Sequence, residues 1–160
     1  MTILLPGTDS HILAAPSRLD FLDRQTIRLV RPTTALEAWN AVMARPLPLM
    51  ALAFRIRDAV SARFGVRRIG GFTGARRQVV AAGERLDFFL VEHAEPEVLV
   101  LTERDRHLDV MTCITTSGGE LAITSSVITH NGYGRVYMWP VGPAHRLIVR
   151  SMLRRMGQSG

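Results

Sequence analysis

Between residues 86 and 129 apolar side chains recur at every second position, and beyond residue 143 they recur at every third or fourth. The first period marks strands with one buried face; the second marks a helix with one oily stripe. The alternation predicts strands over 86–93, 98–103, 108–115 and 121–129, with a fifth over 136–139. The links between them are short, so consecutive strands are expected to be antiparallel neighbours. Asn131-Gly132 is a strong turn dipeptide and is expected to open the last hairpin. Leu108, Val110, Thr112 and Ile114 share one face of their strand, and Leu121, Ile123, Ser125 and Val127 share one face of the next. These two sets are expected to point inward. The final helix is expected to begin at Pro143, a residue favoured in a first helical turn. Its apolar arc carries His145, Ile148, Val149, Met152, Leu153 and Met156, while Arg146, Arg150, Arg154 and Arg155 lie off that arc.

Upstream, Ile27 and Leu29 predict a first strand over 25–30, stopped by Pro32. Thr34 and Glu37 have the spacing of a capping box and predict a helix start, with Leu36, Trp39, Asn40 and Met43 following. Pro46 and Pro48 end that helix. A second helix is predicted over 49–64 from the stripe Leu49, Leu52, Ala53, Ile56, Val60 and Phe64, with Gly65 at its C-terminal cap. Residues 65–77 are rich in glycine and arginine and read as a loop. Residues 1–19 read as a loosely ordered lead-in, 20–156 as one domain, and 157–160 as a tail.

Composition narrows the chemistry more than it widens it. All 20 basic residues are arginine and the net charge is +6. Without lysine there is no Schiff base and no Walker-type phosphate grip. The single cysteine, Cys113, allows no intrachain disulfide, which fits a reducing compartment. No run approaches the roughly 20 apolar residues of a membrane span. The N-terminus lacks a basic leader, so a cytoplasmic location is expected.

Three stretches carry a family resemblance: Asp20-Phe21-Leu22-Asp23, then Phe54-Arg55-Ile56-Arg57-Asp58-Ala59-Val60, then residues 134–139 with Pro143-Ala144-His145-Arg146. In this order they resemble an uncharacterised bacterial family, domain of unknown function 2867, over about residues 20–156. Through it the chain is similar to the helix-grip superfamily, which includes START, birch-allergen and polyketide cyclase-like domains. The resemblance implies an α+β fold in which a curved antiparallel sheet wraps a long C-terminal helix, with two short helices after the first strand. It also implies a hydrophobic cavity for lipids or polyketides, but no single activity.

The residues themselves point the same way. Val110, Thr112, Ile123, Ser125, Tyr137, His145, Ile148 and Met152 would line a cavity between sheet and helix. Apolar walls with a few hydroxyls and one imidazole are the usual make-up of a small-molecule site. The leading expectation is therefore binding of a small hydrophobic molecule without catalysis. A cyclase- or hydrolase-like enzyme with His145 as acid/base is the alternative. A basic interaction module on the arginine face of the last helix is the third. His107 and Asp109 stand two apart on one strand, but no third ligand is placed beside them, so no metal is expected. No motif requires a cofactor, and the aromatic content of 6% offers no base-stacking platform for specific nucleic-acid binding. The sequence leaves the oligomeric state open.

Overall fold

The computed structural model describes residues 3–44, 79–86, 89–104 and 106–158. The predicted helix over 49–64, the arginine- and glycine-rich stretch over 65–77 and the motif Phe54-Arg55-Ile56-Arg57-Asp58-Ala59-Val60 lie outside the described residues. The chain begins with a small hairpin, β1 (Ile3–Leu4) against β2 (His11–Ile12), and a 3-10 turn at Pro16–Arg18. Strand β3 (Phe21–Arg28) and helix α1 (Ala35–Ala44) follow. Then come β4 (Arg85–Leu86), β5 (Phe89–Glu95), β6 (Val98–Arg104), β7 (Leu108–Thr115), β8 (Glu120–Thr129) and helix α2 (Gly132–Gln158). The fold is α+β: β3 to β8 form one antiparallel sheet of six strands in the order β3-β8-β7-β6-β5-β4, which does not close into a barrel.

The alternation that predicts the strands also fixes their register. Val110 pairs with Val127, Thr112 with Ser125 and Ile114 with Ile123, so the two expected inward sets share one face. That front face carries the main core. Leu99, Leu101, Ile114, Leu121 and Ile123 pack there with Val149, Met152 and Leu153 of α2 and with Ala35, Ala38, Trp39 and Val42 of α1. Helix α2 lies chiefly on β3 and β8 and also touches α1. Helix α1 starts as expected: the Glu37 amide donates to Thr34 Oγ1 at 3.1 Å, and the Thr34 amide donates to Glu37 Oε2 at 3.0 Å. Two orphan amides of the first turn are thereby satisfied.

Three expectations are corrected. The first strand spans Phe21–Arg28 rather than 25–30, because it pairs along its whole length with β8 from Val127 to Glu120. The segment 136–139 is helical, and α2 begins at Gly132 instead of Pro143. Its aromatic and β-branched residues imitate a strand, and Pro140, Gly142 and Pro143 imitate breakers. The reason lies in Asn131, which caps the helix: its Oδ1 accepts from the Gly134 amide at 3.0 Å, and its carbonyl accepts from the Arg135 amide at 3.2 Å. Both interior prolines sit on the exposed side of α2. The carbonyls they leave without a helical partner therefore face water, which reduces the usual penalty.

The third correction concerns the N-terminal stretch, which is structured where a loose lead-in is expected. It covers the back face of the sheet, where Leu13 packs with Val100, Met111 and Cys113. Ile12 and Ser10 are fully buried. The Leu13 amide donates to Ser126 Oγ at 3.2 Å, and Thr124 Oγ1 donates to Ser10 Oγ at 3.0 Å. These contacts span more than a hundred residues, so no local pattern announces them.

Two glycines seat α2 on the sheet. At Gly134 a Cβ would overlap the backbone carbonyl of His107; at Gly142 it would press on the Phe21 ring at 3.1 Å. Only a residue without a side chain allows this close approach.

Candidate functional site

The pairing of β3, β8, β7 and β6 sets Asp23, Ser125, Thr112 and Leu101 side by side across the front face. This row interrupts an otherwise oily surface with a carboxylate and two hydroxyls. Ser125 is 1% exposed and Thr112 8%. A hydroxyl this deep needs a hydrogen-bond partner. For Ser125 the partner is His145 of α2, whose Nε2 lies 2.9 Å from Ser125 Oγ. Two of the sequence-predicted site residues, twenty positions apart on different elements, thus meet directly.

Burial pushes the His145 imidazole below its ordinary pKa of 6.5; the Asp23 carboxylate acts against that shift and Arg146 acts with it. The ring is neutral at physiological pH. A neutral imidazole both donates and accepts, so it can share a proton with a hydroxyl or carbonyl without bringing a charge onto this apolar face.

The surroundings of His145 come from β3. Phe21 meets the imidazole edge-on, with ring centres 5.9 Å apart and planes at 86°. The Arg146 guanidinium lies 4.9 Å from the centre of the same ring and 3.7 Å from Asp23 Oδ1. Gln25 Nε2 donates to Asp23 Oδ2 at 2.8 Å and to the Arg146 carbonyl at 3.0 Å. Phe21, Asp23, Gln25 and Arg146 therefore hold His145 in place, and sequence reasoning missed all four as site residues. The signal was available in the alternation Phe21, Asp23, Gln25, Ile27, but a strand begun at 25 hides it.

The remaining candidates divide into two groups. Ile123 and Met152 are buried in the front core, and Val110 and Ile148 pack against it half-buried. Tyr137 stands at the other end, stacked on Tyr133 with ring centres 6.3 Å apart, while Tyr133 lies against His107 at 4.4 Å. Its position follows from the helical, not extended, course of 136–139. An aromatic wall of Tyr133, Tyr137 and His107 thus borders the β7 end of the front face.

His107 and Asp109 do not act together. His107 Nδ1 is bonded to the Asn131 side chain at 2.8 Å, whereas Asp109 pairs with Arg104 at 3.2 Å and with His130 at 3.2 Å. Among the described residues no three His, Cys, Asp or Glu side chains gather into a cation site. Cys113 is buried on the back face, with its thiol pushed up to about 11 by burial. That is the environment of an inert thiol rather than a nucleophile. No helix among the described residues is long and apolar enough to cross a membrane.

The family comparison extends over most of this architecture. The model of the family described as "Protein of unknown function (DUF2867)" matches residues 15–152, and the chain belongs to that family. The matched range includes β3 to β8, the Ser125–His145 pair and most of α2. No curated protein and no solved structure matches the chain.

Proposed function

We propose that the protein binds a small hydrophobic molecule, of lipid or polyketide type, between the front of the sheet and α2. One observation carries this reading: the hydrogen-bonded pair Ser125–His145 is set into an apolar face, with a neutral imidazole as its adjustable partner. Such a pair anchors the polar end of a ligand while Val110, Ile123, Ile148, Met152 and Tyr137 contact its body. Convergent polar groups in an oily lining are what ligand sites have in common. The element order supports placing the chain in the helix-grip superfamily: an N-terminal strand beside the last strand and a C-terminal helix lying on both. A reducing cytoplasm suits its single buried thiol.

A second reading rests on the same 2.9 Å contact. A hydroxyl bonded to a neutral imidazole is the pairing that activates a nucleophile, so His145 would be the acid/base of a cyclase- or hydrolase-like enzyme. Two facts favour binding over turnover. Ser125 is 1% exposed. Asp23, the adjacent carboxylate, is engaged by Gln25 and Arg146 rather than orienting the ring.

Native mass spectrometry on freshly purified protein tests both. A binder retains a co-purified apolar molecule that is lost or diminished in His145→Leu. An enzyme instead releases a changed product, and the same variant abolishes the change. A bare protein mass, together with no thermal shift from long-chain alcohols or ketones, would sink the ligand reading.

A further inference from the structure

The outward side of α2 is unusual for a solvent-facing helix. From residue 136 to 147 its exposed positions are Val136, Trp139, Pro140, Pro143, Ala144 and Leu147, with Arg146 the one charged residue among them. Val136 is 70% exposed, Trp139 84% and Leu147 62%. Isolated apolar residues on a surface need no explanation, but a continuous stripe does. At about 1.5 Å per residue this stripe is roughly 17 Å long. Arginines border it: Arg135 precedes it, and Arg150 and Arg154 continue its line, all exposed. Residues 132–158 contain no Asp or Glu. Among the described residues Arg135, Arg150 and Arg154 form no ion pair, whereas Arg146 is engaged by Asp23.

We propose that this stripe is a docking surface for an anionic lipid bilayer. Trp139 and its apolar neighbours would enter the interface, while Arg135, Arg150 and Arg154 meet lipid phosphates. The chemistry separates this partner from the others. A second copy of the chain, docked two-fold on the same face, would set arginine against arginine with no carboxylate between them. A nucleic acid would use the arginines but gains nothing from valine, proline and leucine. A bilayer with anionic headgroups uses both, and tryptophan is the side chain most at home at the boundary of headgroup and acyl chain. The helix lies flat, because its opposite side is held on β3 and β8. Surface attachment, not insertion, is the outcome. The inference does not rest on the ligand reading, since Trp139 and Ser125 lie on opposite sides of α2.

Co-sedimentation of the full chain with vesicles tests it. The protein is expected to pellet with phosphatidylcholine vesicles containing phosphatidylserine and to stay in solution with phosphatidylcholine alone. Salt should weaken binding, as it screens exposed charges. Arg150→Glu/Arg154→Glu is expected to lower partitioning at least about 25-fold, from roughly fivefold per basic residue. Trp139→Ala is expected to lower it about tenfold, the scale for removing one inserted large apolar side chain. Trp139 is exposed, so this variant keeps its fold, checked by circular dichroism. The difference in emission between wild type and Trp139→Ala isolates that indole from buried Trp39, and it should shift to the blue on anionic vesicles. The proposal is overturned by equal binding to both vesicle types or none, or by variants that bind like wild type. It is also overturned by a solution dimer that Trp139→Ala dissolves, or by nucleic acid competing while Trp139→Ala has no effect.

Discussion

On the back of the sheet, Ser126 accepts from the Leu13 amide and Thr124 donates to Ser10. On the front, one strand position away, Ser125 faces His145. All four of these strand and hairpin hydroxyls are buried. The back pairs use backbone or another hydroxyl, partners that do not titrate and are fixed by the hairpin's path. The front pair uses a side chain whose protonation can change and which stands on a separate helix. Buried polar groups of the first kind hold a fold together; those of the second kind leave a hydrogen-bonding position that another molecule can take over. The front face is therefore the one where a buried hydroxyl is bonded to a titratable side chain.

Leu101→Ala on the front should have the largest effect, a loss of about 2–5 kcal/mol in urea denaturation, because the leucine is fully buried between strands and helices. Val100→Ala, on the back beside it, removes fewer carbon atoms and should cost less. An equal or greater loss there would mean that the hairpin side is the tighter one. Gly134→Ala comes next. Alanine improves helix propensity by about 1 kcal/mol. The added methyl meets the rigid His107 carbonyl, however, and overpacking of this kind costs about 1–3 kcal/mol, so net destabilisation is expected. A rise in melting temperature would show that α2 is not seated as described.

Acid acts on an imidazole at each face. His145 has a folded pKa below its unfolded value near 6.5, for reasons of burial first. Between those two values the unfolded chain binds the extra proton, so stability falls as pH drops below about 6.5 and levels off below the folded pKa. His11 on the back behaves alike, lowered by burial and by His93, whose ring stacks on it at 5.4 Å. Denaturation midpoints measured from pH 8 to 4 should therefore fall in wild type. His145→Leu and His11→Leu should each flatten part of that slope, and Ser126→Ala should leave it unchanged. A wild-type profile flat across this range would contradict the lowered pKa of both imidazoles. The smallest effect is expected at the cap: Thr34→Ala should cost about 1 kcal/mol with no change in pH profile.

Much of this architecture is legible before any coordinates. Strict alternation in 108–115 and 121–129 gives β7 and β8 and places Thr112 and Ser125 on one face. The Thr34–Glu37 spacing gives the start of α1. What fails is informative. The residues over 136–139 have strand-like side chains, and two prolines follow, so local propensity argues against the helix that forms. Tertiary seating prevails through the Asn131 cap and the glycine contacts. The cover of the back face depends on bonds from Ser10 and Leu13 to residues more than a hundred positions away, which no window of sequence displays. Asp23 and Gln25 escape notice because their significance arises only when β3 pairs with β8.

The two glycine seats on α2 have a mechanical implication. Gly134 and Gly142 are eight residues apart, about 12 Å along the axis. Each notch admits a protruding feature of the sheet, the His107 carbonyl at one end and the Phe21 ring at the other. Sliding the rod by a single turn would push bulky residues into both obstacles together. The helix is thus indexed like a key on two wards, and the His145 imidazole is held at a preset height over Ser125.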